Sequence, residues 1–147
     1  MAGRARDIAD GVRALVPTAV LVGTQSMSPK TYDTSTGTTT PPEDVYYVVN
    51  IRLPAVLDRS EGASPQGHEV RVRLTSVGRT AAAARDLASA AEAALDQARP
   101  VAAGWLTGPL LLDNTRGPDE DPDVTFTGGA RAIFAVSEFV LTASRTA

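Results

Sequence analysis

The chain has 147 residues, enough for one domain with a hydrophobic core, and its 43% hydrophobic and 21% charged residues are typical of a globular protein. It contains no cysteine, which excludes disulfides, thiolate metal ligands and cysteine nucleophiles, and its formal net charge of −3 gives no general attraction for nucleic acid. No apolar run approaches the roughly 20 residues of a membrane helix. The start is amphipathic and mixed in charge, unlike a secretory signal. We therefore expect a single domain over residues 1–147 that is made inside the cell and has no membrane contact.

The first predicted element is a helix over residues 4–16, where apolar side chains recur every three or four positions. Pro17 ends this helix, and the short apolar run 19–22 is typical of a buried strand. Residues 23–44 are rich in Thr, Ser, Pro and Gly and carry almost nothing to bury. We interpret them as a long polar loop of the kind that is usually functional or disordered.

Residues 45–53 have the β-branched and aromatic content of a strand. Alternate residues share its predicted buried face: Val45, Tyr47, Val49, Ile51 and Leu53. Residues 54–67 are predicted to form a second, shorter polar loop.

A strand that runs directly into a helix is the clearest local pattern in the chain. Apolar and polar residues alternate strictly over 69–75, as in a half-buried strand. Near Gly78 the apolar spacing changes to steps of three and four. Thr80 can cap the resulting helix and Pro100 stops it. This succession indicates an α/β or α+β fold.

The C-terminal third begins with a predicted strand over 105–113, in which Pro109 suggests a bulge or an edge position. Residues 114–123 are interpreted as an acidic loop rich in turns, and 124–127 as a short strand. Gly128 and Gly129 then predict a tight hairpin connection.

The last predicted strand, 131–142, is apolar on both faces. Such a strand is either central in its sheet or leaves the domain to pack on a neighbour. The predicted order is therefore α-β-β-β-α-β-β-β. We expect an α/β (α+β) fold with a mixed, mostly antiparallel sheet and two helices packed on one of its faces.

No constellation of residues points to catalysis or to a bound metal. His68 is the only histidine and no Gly-x-Ser-x-Gly motif accompanies it, so we interpret it as an exposed loop residue. The acidic residues 119–123 lack the spacing of a calcium loop and indicate a solvated turn. Gly78 belongs to no phosphate-binding glycine motif. We predict that the protein is not an enzyme and uses no metal or other cofactor.

Three arginines alternate away from the predicted core face: Arg52, Arg71 and Arg73. They indicate either a solvated sheet face or a basic surface for DNA or an acidic partner. An uncovered sheet face or edge also favours pairing with another copy of the chain.

Three segments together resemble a known family. These are a Tyr-Val-Val-x-Ile type strand at 46–51, a strand leading into a Gly-x-Thr-x-Ala-x-x-x-Ala-x-x-Leu type helix at 70–95, and a closing strand at 130–141. In this order, after a short N-terminal helix, the layout resembles the lambda-type tail terminator proteins of long, flexible-tailed bacteriophages.

The resemblance implies a small α/β sandwich that assembles as a homohexameric ring on the head-proximal end of the tail tube. There it would stop tube polymerisation and form the interface to the head connector. The implied partners are further copies of the chain, the tail-tube protein and the head-completion protein, and DNA passes through the lumen without sequence-specific binding. The implied location is the virion tail, after assembly in the cytoplasm of the bacterial host.

In a cyclic ring, each subunit contacts its two neighbours through two different surfaces. The exposed rows of the strands 45–53 and 131–142, together with the basic sheet face, supply our candidate interface residues: Tyr46, Val48, Arg52, Arg71, Arg73, Arg131 and Phe139. Two alternatives stay open. One is another neck, connector or tail-tube component, and the other is a small ligand- or nucleic-acid-binding module that uses the basic face.

Overall fold

A computed structural model describes residues 4–18, 20–22, 25–27, 30–33, 45–52, 55–59, 65–126 and 129–146. These residues form two helices, α1 (Ala5–Arg13) and α2 (Ala81–Leu95). They also form nine strands: β1 (Val20–Val22), β2 (Gln25–Met27), β3 (Lys30–Asp33), β4 (Tyr46–Ile51), β5 (Ala55–Arg59), β6 (Pro65–Gly78), β7 (Trp105–Thr107), β8 (Leu111–Thr125) and β9 (Arg131–Arg145). The chain has an α+β fold, as predicted.

Two long antiparallel strands, β6 and β9, form the centre of a seven-stranded sheet. Along the outer side of β6, β4 and β5 pair with its two halves, and β3 extends the sheet parallel to β4. Along the outer side of β9, β7 and β8 lie end to end. The sheet is therefore mixed and mostly antiparallel. β1 and β2 form a separate antiparallel pair.

Both helices pack on the same face of this sheet and enclose the main core. The alternation predicted for β6 is confirmed, because Val70, Val72 and Leu74 are fully buried beneath the helices. The helices contribute the residues of their apolar stripes: Ile8 and Val12 from α1, and Leu87, Ala91 and Leu95 from α2. The apolar residues that alternate along β6 and those that recur every three or four positions along the helices are thus buried in one common core.

At the start of both helices, side-chain oxygens accept hydrogen bonds from backbone amides that have no partner within the helix. At α2 the predicted cap is confirmed, since the Thr80 hydroxyl accepts a hydrogen bond from the Ala83 amide at 3.1 Å. At α1 the Asp7 carboxylate accepts one from the Arg4 amide at 3.1 Å. A further hydrogen bond from the Arg4 side chain holds the pKa of Asp7 below its ordinary value. α1 ends at Arg13, three residues earlier than predicted, and neither described helix is long and apolar enough to cross a membrane.

Tyr47 connects β4 to α2 across the core. Its side chain is fully buried, its hydroxyl donates to the Leu87 carbonyl oxygen at 2.8 Å, and burial raises its pKa above the ordinary value. We expect Tyr47→Phe to lower the free energy of unfolding by about 0.5–1.5 kcal/mol, because one buried hydrogen bond is lost. Urea denaturation measures this change, and an unaltered midpoint would argue against a role for this bond.

Gly11 allows α1 to approach the segment that follows α2. A Cβ atom at this position would overlap the carbonyl oxygen of Val101. A glycine-to-alanine change within a helix ordinarily stabilises it by about 1 kcal/mol. Here we expect the opposite sign, with Gly11→Ala destabilising the fold by about 1–3 kcal/mol through overpacking. A higher melting temperature for this variant would contradict the packing described.

Three segments that were predicted as polar loops contain strands, and these predictions are corrected. β2 and β3 lie within 23–44, β5 and the first residues of β6 lie within 54–67, and β8 covers all of 114–123. β8 shows the physical reason: backbone hydrogen bonds to β9 hold it in place, although its side chains are almost all exposed. An edge strand of this kind needs no apolar face of its own. The remaining predictions for 34–44, Leu53 and 127–128 lie outside the described residues.

The strand predicted over 105–113 is present as β7 and the start of β8, interrupted at residues 108–110 around Pro109. The predicted hairpin joins β8 to β9, and Gly129 in this connection has a φ of +90°, a conformation that glycine adopts readily. β9 lies between β6 and the β7–β8 pair. It is therefore central in the sheet, the first of the two alternatives that its two apolar faces indicated.

Candidate interaction surface

The described helices cover only one face of the sheet, and the opposite face is called the open face below. It carries alternate residues of four strands: Tyr46, Val48, Asn50 and Arg52 along β4; Glu69, Arg71, Arg73, Thr75 and Val77 along β6; Ala132, Phe134, Val136, Glu138 and Val140 along β9; and Leu111, Arg116, Asp119 and Asp121 along β8. The face is apolar at the hairpin end and charged in its middle.

An apolar groove of about 340 Å³ occupies the hairpin end of the open face. Its apolar lining comes from four strands: Tyr46, Val48, Val77, Val124, Ala132, Phe134 and Val136. Phe126 packs beside it, with its ring 6.5 Å from that of Tyr46 in an edge-on arrangement. A concave apolar surface of this kind is suited to an apolar side chain of a partner.

A second groove, of similar volume, occupies the charged middle of the open face. Its polar lining is Asn50, Arg52, Arg71, Arg73 and Glu138. The sequence predicted that the three arginines point away from the core. This is confirmed, because all three are exposed on the face opposite the helices.

Carboxylates neutralise two of these three arginines. Arg71 Nε lies 2.8 Å from Glu69 Oε1, and Arg71 Nη1 lies 3.6 Å from Asp113 Oδ2. Arg73 Nε lies 3.4 Å from Glu138 Oε1. These groups are partly exposed, so each pair contributes at most about 1 kcal/mol to stability. Their larger effect is to remove most of the positive charge that the sequence pattern indicated.

The structure brings together five of the seven predicted interface residues. Tyr46 and Val48 line the apolar groove, and the three arginines line the adjoining charged groove. Arg131 is separate from them: it alternates with Ala132 and so points to the helix side of the hairpin. There its Nη1 atom lies 3.1 Å from Glu120 Oε1.

Phe139 is corrected from an interface residue to a core residue. Its side chain is 1% exposed and belongs to the main core beneath the helices. It pairs in register with Val72, whose side chain faces the same side of the sheet. Because β9 is apolar on both faces, the sequence could not show which of its residues face the main core and which lie on the open face.

His68 is likewise corrected, because it is a buried strand residue and not an exposed loop residue. It is 4% exposed in β6, and its ring lies 5.2 Å from the Trp105 ring in an edge-on arrangement. Its Nδ1 atom has no hydrogen-bond partner among the described residues. The same residues contain no group of three or more His, Cys, Asp or Glu side chains placed to hold a metal ion. The histidine is thus packed as a core side chain.

Comparison with known proteins identifies no family. The sequence matches no protein-family model and no curated protein.

A group of exposed apolar side chains around the β7–β8 joint was not predicted from the sequence. Among the described residues, the large hydrophobic side chains that are exposed are Val101 (89%), Leu106 (68%), Leu111 (49%) and Leu112 (37%). The run of three leucines at 110–112 is the signal that could have found part of this group. Successive side chains of an extended segment point to opposite sides, so in a strand with only one covered face such a run leaves some of its side chains exposed.

Proposed function

We propose that this chain is a structural subunit of a bacteriophage tail, a tail terminator that assembles as a ring on the head-proximal end of the tail tube. In this position the ring ends tube polymerisation and presents a surface to the head connector. Its partners are copies of itself, the tail-tube protein and the head-completion protein, and the DNA passes through its lumen. The protein acts by recognition and steric blocking, and its location is the virion.

The observation that carries this proposal is the open face of the sheet. One face is packed under two helices, and the other presents an apolar groove of about 340 Å³ beside a charged middle. A sheet surface with an apolar groove is suited to another protein. The α+β architecture also agrees with the fold that the resemblance to tail terminators implies.

The charges of the open face favour a protein partner over nucleic acid. Proteins that bind DNA without sequence preference rely on cations that are free to contact phosphates. Arg71 and Arg73 already contact carboxylates, and Arg52 is the one arginine of the three without such a contact among the described residues. A neck or tail-tube component would use the same kind of surface. The position of the protein in the particle therefore distinguishes these components from a terminator.

A polymerisation assay with purified tail-tube protein tests the proposal. We expect the added chain to shorten the tubes at a small molar ratio to tube subunits, because it acts only at ends. Val48→Glu places a charge in the apolar groove and is expected to abolish this effect. Arg85→Glu, on an exposed position of α2, is the control that retains it. Tubes of unchanged length with the wild-type chain would contradict the proposal, and steeply salt-dependent DNA binding would favour the nucleic-acid-binding module.

A further inference from the structure

The arginines in the charged middle of the open face have hydrogen-bond donors that the fold does not use. Within the described residues, Arg71 Nε donates to Glu69 Oε1 at 2.8 Å, and Arg73 Nε donates to Glu138 Oε1 at 3.4 Å. The Nη atoms of both arginines, and the whole guanidinium of Arg52, donate no hydrogen bond in that part of the chain. A guanidinium can bind a carboxylate through a pair of parallel hydrogen bonds. The three side chains can therefore bind a further oxyanion.

The strand register brings these three arginines to one groove. Arg73 pairs with Asn50 of β4, and the Arg52 amide donates to the Arg71 carbonyl oxygen at 2.9 Å. All three line the charged groove of about 340 Å³, whose lining contains one carboxylate, that of Glu138. Three cations against one carboxylate make this groove complementary to a group of negative charge.

The apolar groove adjoins the charged groove, and Arg73 lines both. Val48 and Arg52 lie four residues apart on the open face of β4, and Val77 and Arg73 are related in the same way on β6. This spacing is about 13 Å along a strand. An extended partner segment presents two side chains on one face at the same spacing when they are four residues apart. One such segment can therefore fill both grooves.

Carboxylates around the arginines favour a protein segment over DNA. Glu69 and Asp113 contact Arg71 from outside the charged groove, and Asp121 lines the apolar groove. DNA carries a phosphate charge at every nucleotide, so a strand laid along this face would bring several phosphates close to these carboxylates. A single carboxylate side chain next to an apolar side chain avoids this repulsion.

We propose that the open face binds an extended acidic segment of a partner protein. A bulky apolar side chain of the segment occupies the apolar groove, and a carboxylate four residues away accepts hydrogen bonds from Arg52, Arg71 and Arg73. Apolar surface meets apolar surface, and the carboxylate meets unused guanidinium donors. The inference rests on the proposed function, which makes the tail-tube protein the source of this segment.

A blocked peptide of sequence Leu-Thr-Ser-Thr-Glu is the probe, titrated into the full-length ¹⁵N-labelled chain. We expect backbone amide shifts to change along β4 and β6 on the open face, with a Kd below about 1 mM. Replacement of the peptide glutamate by glutamine should weaken binding about tenfold, because a charged hydrogen-bonding group is lost. Replacement of its leucine by serine should weaken binding to a similar extent. No binding, or equal binding of the glutamate and glutamine peptides, would overturn the inference.

Arg52→Glu tests the same contact from the side of the protein. The fold should persist, because Arg52 is exposed and contacts no carboxylate among the described residues. We expect about tenfold weaker binding of the glutamate peptide, and tighter binding of a lysine peptide than the wild-type chain shows. Arg85→Glu, exposed on α2, is the control and should bind both peptides as the wild-type chain does. Unchanged affinities in Arg52→Glu would place the carboxylate elsewhere and contradict the proposal.

Other occupants of the two grooves give different results. Amide shifts along β4 and β6 that a short DNA duplex produces, and that Arg52→Glu abolishes, would assign the charged groove to phosphate and overturn the inference. Self-association that Arg52→Glu abolishes would assign it to a second copy, with the same consequence. The tube-shortening assay is independent of the peptides. Peptide binding without tube shortening rejects the proposed function, and tube shortening without peptide binding rejects this inference alone.

Discussion

Phe139→Ala is expected to lower the free energy of unfolding by about 3–5 kcal/mol, the usual cost of truncating a fully buried aromatic side chain. Phe139 is 1% exposed and lies under the helices beside Val72. Removal of its ring leaves a cavity in the centre of the main core, where β6 and β9 are paired along their length. Urea denaturation followed by circular dichroism measures the change.

Phe134→Ala is the matched control for this variant. Phe134 lies in the same strand but on the open face, where it is only partly buried beside the apolar groove. We expect a loss of stability of less than about half that of Phe139→Ala, because less apolar area is re-exposed. Equal losses for the two variants would mean that the residues of β9 have been assigned to the wrong faces of the sheet.

Leu87→Ala is expected to destabilise the protein by about 2–5 kcal/mol. Leu87 is fully buried at the centre of α2, and its carbonyl oxygen accepts the hydrogen bond of the Tyr47 hydroxyl. Truncation therefore leaves a cavity where the helix meets β4 and β6. The shift of the urea midpoint at constant slope reports this loss.

Leu106→Ala makes the same chemical change at an exposed position. It should alter the unfolding free energy by less than about 0.5 kcal/mol, because the side chain is 68% exposed in the single chain. A large loss of stability in Leu106→Ala, or a small one in Leu87→Ala, would contradict the burial described here.

Much of the fold was predictable from the spacing of apolar residues along the sequence. The change of period near Gly78 located the boundary between β6 and α2, and Thr80 fixed the first turn of the helix. The two apolar faces of β9 indicated either a central strand or one that leaves the domain, and the structure shows the first of these. β8 could not be found in this way, because backbone pairing with β9 keeps an acidic and almost entirely exposed segment extended.

The candidate site was predictable in part. Alternation placed Arg71 and Arg73 on the open face, and Glu69, two residues from Arg71, shares that face for the same reason. The contacts of these arginines with Asp113 and Glu138 depend on strand order and register, which a single sequence does not contain. The buried state of His68 was missed because β6 begins earlier than the alternating pattern indicates.

Electron microscopy of purified tails mixed with this protein tests the central claim most directly. The account predicts one ring per tube, bound at the head-proximal end. Tails without added density, or with the protein along their whole length or at both ends, would contradict it.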